Sequence, residues 1–287
     1  YWVYADNSQW ACITTTGECD VTYLAFLFAT GLLLLLGPGG AVHRDDWFRQ
    51  LQQRVDAIEP QFWLGFVLLI VAPSVLMALV FSMLQVVFGG AAMLLLGTAA
   101  LYFSFGRADY DALIERFNAR CSAGDYQGGA LVLEEAGAAV AADDVDELSR
   151  HAARVFVYEG FQRWFAPVFY FILLGPFWAV AYRLLQLSAA DPKVPVGSLR
   201  HLIDWLPSRA LLITIMLGGD FSHARRMLRE QALDPDIETD ELLLQGVEFA
   251  QPGSADDAVA HVLRVRQSLQ RGLVAWVVIV SLLSLLF

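Results

Sequence analysis

Residues 60–106 read PQFWLGFVLLIVAPSVLMALVFSMLQVVFGGAAMLLLGTAALYFSFG, with no charged side chain between Glu59 and Arg107. The run is 47 residues long. As a single helix rising about 1.5 Å per residue it would measure roughly 70 Å, twice what a bilayer's hydrocarbon core requires. It must fold back on itself, and Phe88-Gly89-Gly90 is the natural turn, which leaves apolar segments at Phe62–Val87 and Ala91–Phe105. This pattern predicts membrane-spanning helices rather than a soluble core.

The rest of the chain follows the same grammar. Asp20 and His43 bracket the uncharged stretch Val21–Val42, long enough for one crossing. Arg163 and Arg183 bracket WFAPVFYFILLGPFWAVAY, read as a fourth span with aromatic residues at both ends and a kink at Pro176. Gly272–Phe287 is a short charge-free run at the end of the sequence, read as a last crossing. Composition agrees: of 287 residues 57% are hydrophobic and 17% charged, and the mean hydropathy is +0.50. Soluble domains carry about a quarter charged residues. The net charge of −11 excludes nucleic acid as a partner, because phosphate binding needs clustered Lys and Arg.

Trp205–Gly219 (WLPSRALLITIMLGG) is the ambiguous segment: a short span, a re-entrant piece or a buried interfacial helix. Basic residues accumulate on the cytoplasmic side of membrane proteins. If the segment crosses, 15 of the 19 basic residues share one side; if it does not, the split is nine against ten. The reading is therefore an all-α, polytopic membrane protein with five to six membrane-embedded segments and helical cytoplasmic parts. Residues 1–20 form an extracytoplasmic segment, 21–105 three spans and 106–163 a helical cytoplasmic part. Residues 164–221 hold a span, an outer loop and the short embedded helix, 222–271 a second cytoplasmic part, and 272–287 the final span.

Residues 1–20 lack Lys and Arg, and Cys12 and Cys19 flank a turn-like ITTTGE, so an extracytoplasmic disulfide is an option. Tyr1 is not an initiator methionine, which places the expected start upstream. In the cytoplasmic parts, Asp125 and Asp143 or Asp144 are suitable N-cap residues, with a turn at Gly124-Asp125. Cys121 reads as a reduced helix residue.

Phosphate-loop, dinucleotide, zinc-protease and paired-cysteine motifs are all missing, so the residues call for no cofactor and no metal. Three clusters of polar residues lie at membrane edges. His43-Arg44-Asp45-Asp46-Trp47-Phe48 follows the first span, and Arg163 and Tyr182-Arg183 flank the fourth. His201-Leu202-Ile203-Asp204-Trp205-Leu206-Pro207-Ser208-Arg209 surrounds Pro207, where a helix break is expected between Asp204 and Arg209. Each cluster reads either as interfacial anchoring or as a ligand or partner site, since ionisable groups at such depth need pairing or a wet cavity. Candidate binding residues are Arg163, Tyr182, Arg183, Asp204, Arg209, His43, Arg44 and Asp46.

The motifs HRDDWF at His43–Phe48, RWFAPVFYF at Arg163–Phe171, GPFWAVAYRL at Gly175–Leu184, DWLPSR at Asp204–Arg209 and GGDF at Gly218–Phe221 resemble the AmpE family of bacterial inner-membrane proteins. That family is related to the CobD/CbiB cobalamin-pathway synthases. The resemblance implies a non-enzymatic regulatory protein linked to an AmpD-type peptidoglycan-recycling amidase and to inducible β-lactamase. In the synthases, Asn-Thr-Leu-Asp follows the Tyr-Arg pair, whereas Tyr182-Arg183 continues here as Leu-Leu-Gln-Leu-Ser-Ala-Ala. A membrane enzyme related to adenosylcobinamide-phosphate synthase and a small transporter or channel remain the alternative readings.

Overall fold

In the long apolar run the chain turns at Gly89, whose φ is +56°, between a helical stretch over Phe62–Phe88 and a second over Gly90–Ser104. The structure is a computed structural model. It describes residues 16–37, 45–58, 62–106, 110–136, 144–189, 197–218, 234, 237–251 and 257–286. Every regular element among them is helical. The order is α1 (Thr16–Leu36), α2 (Asp46–Asp56), α3 (Phe62–Phe66), a π turn (Val67–Val71), α4 (Ala72–Phe88), α5 (Gly90–Ser104), α6 (Tyr110–Ser122) and α7 (Tyr126–Glu135). There follow α8 (Val145–Gly160), a second π turn (Phe161–Phe165), α9 (Ala166–Leu174), α10 (Pro176–Ala189), α11 (Gly197–Leu217), α12 (Thr239–Ala250) and α13 (Ala258–Leu286). The all-α class is as the sequence predicts. The helical stretch Leu64–Phe88 and the helix Ala258–Ser284 are long and apolar enough to cross a membrane; Val21–Leu36 and Gly90–Ser104 are shorter apolar helices.

The chain divides into two compact units. The first takes Tyr1–Phe105, Pro167–Val194 and Val278–Phe287. Here α1 lies along α5 through small residues: Ala25 and Ala29 are fully buried, and the Thr98 hydroxyl donates to the Ala25 carbonyl at 3.4 Å. Small side chains let helix backbones approach closely, and that is how helices associate where no hydrophobic force separates protein from lipid. At the far end the Tyr102 hydroxyl donates to the Gly37 carbonyl at 3.1 Å. The outer face of α4 is aliphatic: Leu76, Leu79, Met83 and Val86 are all more than half exposed.

Two expected spans differ in detail. Helix α1 stops at Leu36, with Gly37 at φ +67, so the first apolar helix is shorter than Val21–Val42. In the fourth, Gly175 adopts φ +93, a conformation that only glycine reaches without strain, and the helix breaks where a kink was expected. The Gly175 amide closes α9 on the Phe171 carbonyl at 2.9 Å, and Pro176 opens α10 at a position where its missing N–H costs nothing.

The second unit takes Gly106–Ala166 and Pro195–Val277. Asp125 caps α7 by accepting from the Gly128 amide at 2.8 Å, after a turn at Gly124 with φ +76; Asp144 caps α8. Its core holds Phe117, Leu133, Leu148, Phe156, Phe161 and Leu242–Leu244, all fully buried. Helix α12 packs on α11 at Gly246, where a β-carbon would stand 2.3 Å from Leu212 Cδ1. Arg150 and Arg154 on α8 pair with Glu241 and Asp240 in the first turn of α12, at 2.8 Å in both cases. The expected break at Pro207 does not occur: α11 runs through it. A proline deprives one carbonyl of its helical donor but leaves the rest of the ladder, and the Ser208 hydroxyl adds a bond to the Trp205 carbonyl at 3.0 Å.

Candidate functional site

The second unit gathers polar groups where α8 and its π turn meet α11. Asp204 is 1% exposed and Arg209 is 6% exposed. Asp204 and Ser208, four residues apart, share one face of α11, with Ser208 also fully buried, and Arg209 is buried on a different side of the helix. The Tyr158 hydroxyl, from α8, donates to Asp204 Oδ2 at 2.6 Å. At 2.6 Å it lies at the short end of the range for O–H···O hydrogen bonds. The Arg200 guanidinium lies over the Tyr158 ring, 5.3 Å from its centroid. Arg209 stacks over Trp205 at 4.8 Å, donates to the Asp234 carbonyl at 2.9 Å, and donates to the Ser208 hydroxyl at 3.2 Å.

Arg163 belongs to the same unit. It pairs with Glu159 one helical turn earlier at 2.7 Å, and its backbone carbonyl accepts from the Gly106 amide at 3.0 Å. The π turn sets its phase. One residue inserted per turn rotates Phe161, Trp164 and Phe165 into the core, where Trp164 and Phe165 meet Trp276 edge-on at centroid distances of 6.3 and 5.5 Å.

Tyr182 and Arg183 sit in the first unit. Arg183 pairs with Asp45 at 3.3 Å, both side chains nearly buried. Tyr182 stacks on Tyr170 at 5.5 Å and accepts from the Gln186 side chain at 2.8 Å. Asp46 opens α2 and is exposed. His43, Arg44 and Cys12 lie outside the described residues, as does the side chain of Cys19, and with them the disulfide. Of the eight candidates, Arg163, Asp204 and Arg209 belong to the second unit, and Asp46, Tyr182 and Arg183 to the first.

Sequence reasoning missed Tyr158, Glu159 and Arg200. The Glu159/Arg163 spacing of four was visible as a helical ion pair. Tyr158 carried no signal, because its role comes from a helix 46 residues away.

A second buried cluster resembles a hydrolytic relay and is not one. Ser149 Oγ lies 3.3 Å from His261 Nδ1, and His261 Nε2 lies 3.4 Å from Glu248 Oε1. Ser149 has no exposed surface and His261 is 1% exposed, so no substrate carbonyl can reach the hydroxyl. The arrangement instead ties α8, α12 and α13 together. Contact with His261 holds the Glu248 carboxyl below its ordinary range, helped by Arg150 and Arg264. Elsewhere, hydrogen bonding to Asp240 raises Arg154, and burial pushes the Cys121 thiol up to about 11, an unreactive state at neutral pH. Among the described residues no group of three or more His, Cys, Asp or Glu side chains could hold a metal ion. Compared with protein-family models, with characterised proteins and with solved structures, the chain matches none.

Proposed function

We propose that this chain is a multi-pass bacterial inner-membrane protein of AmpE type. In this reading it is non-enzymatic and modulates cell-wall-linked β-lactamase induction by engaging a partner or an anionic ligand at the Asp204–Arg209 segment. The observation that carries it is the buried Asp204 and Arg209 in a chain built from apolar helices, since intramembrane ionisable groups are costly and mark functional positions by default. The aliphatic outer face of α4 supports the membrane setting, because soluble proteins rarely expose a contiguous apolar surface of that extent. Five to six embedded segments and an extracytoplasmic N-terminus complete the topology. An AmpD-type amidase is the partner the motif series suggests.

The regulatory reading is favoured over the synthase reading by how the shared residues are used. Tyr182, Arg183, Pro207 and Arg209 are the positions that match the synthase-like pattern. Here Arg183 answers Asp45, Tyr182 answers Gln186, and Arg209 holds the Asp234 carbonyl. The test is replacement of the chromosomal copy by Asp204→Asn and Arg209→Gln variants, with β-lactamase induction measured at matched membrane levels of protein. A shifted induction curve for both is expected. Unchanged induction at unchanged protein level would remove the regulatory reading.

A further inference from the structure

Helix α11 is built inside out. Of its residues 199–217, those exposed are Leu202, Leu206, Ile213 and Leu217, at 70, 50, 46 and 64%. At 3.6 residues per turn these four fall within about 60° of one another, a single stripe about 22 Å long. Its polar residues are withdrawn from that surface: Asp204 and Ser208 face the opposite way, and Arg209 and Thr214, at the flanks of the stripe, are buried as well. Helix α2 of the same chain has the opposite arrangement, with Phe48 and Val55 buried and Asp46, Arg49, Gln53 and Arg54 exposed. The α2 pattern is that of a helix lying against water.

We propose that the stripe Leu202–Leu206–Ile213–Leu217 faces lipid acyl chains, so that α11 is embedded in the bilayer although its hydropathy does not mark it as a span. This rests on the membrane reading above and adds a surface to it. Three observations choose lipid as the occupant. The stripe carries no charge or hydrogen-bonding group that a protein partner could recognise. Four partly exposed aliphatic side chains fall well short of the about 800 Å² that each partner of a stable complex buries. On its buried side, moreover, α11 packs against a helix long and apolar enough to cross a membrane. The Trp276 indole on α13 donates to the Thr214 hydroxyl on α11 at 3.1 Å, and Gly272, where the charge-free run of α13 begins, packs against Leu211.

A consequence follows for the polar cluster. Asp204 and Arg209 lie between Leu202 and Ile213 along α11, so the groups that Tyr158 and the Asp234 carbonyl satisfy are held at acyl-chain depth. Pro207 inside the helix fits that setting, since neighbouring helices and Ser side chains re-satisfy the freed backbone groups.

The test is site-directed spin labelling of the full chain, with Cys12, Cys19 and Cys121 changed to alanine, reconstituted in vesicles of phosphatidylcholine and phosphatidylglycerol. Single cysteines at 202, 206, 213 and 217 are compared with one at Gln53 on α2 and one at Met83 on α4. Oxygen concentrates among acyl chains and a nickel chelate stays in water. The oxygen-to-nickel accessibility ratio is expected to be several-fold higher at all four α11 positions than at Gln53, and close to that at Met83. Nickel access at all four, with Met83 still oxygen-accessible, overturns the inference and leaves the membrane reading standing. Low access to both reagents overturns it in favour of a protein partner or a second copy. Nickel access at Met83 as well would bring down the membrane reading itself. All four positions are surface positions, so a label at any one tests the stripe even if another disturbs folding.

Discussion

Helices α4 and α11 differ in how their sequences announce their surroundings. Helix α4, with the π turn before it, has hardly a polar residue, and composition alone marks it as able to span a membrane. Helix α11 carries Arg200, His201, Asp204, Ser208, Arg209 and Thr214 and falls below that threshold. Its exposed stripe is nonetheless as aliphatic as that of α4. Hydropathy measures what a segment contains, whereas the surrounding solvent meets only what the segment shows. A helix that turns its polar groups onto protein partners can present a lipid-compatible surface at a modest average hydropathy.

The comparison is broken most severely by charge. A lysine at the middle of a spanning helix costs about 2.5–3.5 kcal/mol on insertion scales. Leu76→Lys on α4 is therefore expected to lower the membrane-integrated fraction most, as read by membrane pelleting at matched expression. Ile213→Lys is expected to act in the same direction and more weakly, because a lysine nearer a helix end can snorkel to the interface. Gln53→Lys on α2 should have no effect. If Ile213→Lys behaves like Gln53→Lys, the two helices do not share a solvent.

Packing sharpens the comparison next. Gly246→Val puts side-chain atoms where Leu212 Cδ1 stands 2.3 Å from the added β-carbon, and overpacking of this kind costs typically 1–3 kcal/mol. The detergent-solubilised variant should unfold at a lower temperature by circular dichroism, and Leu212→Ala should partly rescue it. Arg209→Ala is expected to cost a comparable or smaller amount, because it strands the Asp234 carbonyl and uncovers Trp205.

The smallest effect concerns pH. The Glu248 carboxyl is held below its ordinary value by His261, so its contribution to stability is present above the usual glutamate range, about pH 4.3, and is lost as pH falls through its lower folded value. Partial exposure of Glu248 keeps this under about 1 kcal/mol. Glu248→Gln should lower stability near neutral pH by up to that amount, leave stability in acid almost unchanged, and so flatten the acid limb of the thermal-stability profile.

Much of the fold was readable because apolar runs and turn residues act locally. The 47-residue run had to fold back, and Gly89 is where it turns; Asp125 and Asp144 cap helices as their position before apolar periodicity implies. One local signal misled. Pro207 looked like a break because the proline rule knows nothing of neighbouring partners; the interruption expected at Pro176 is there, with Gly175 before it supplying the turn. The candidate residues were half legible. Asp204 and Arg209 were found from the membrane-edge position of their motif, but their partners Tyr158 and the Asp234 carbonyl come from other segments. The ion-pair partners were not named from the sequence either: Arg183 finds Asp45 in the first unit, and Arg163 finds Glu159 in the second.

The most direct measurement is alkaline carbonate extraction of membranes from cells expressing the full chain. Both helices facing lipid predicts that the chain stays in the pellet and leaves it only with detergent. Release of folded, helical protein into the aqueous supernatant would contradict the account of α4 and of α11 together.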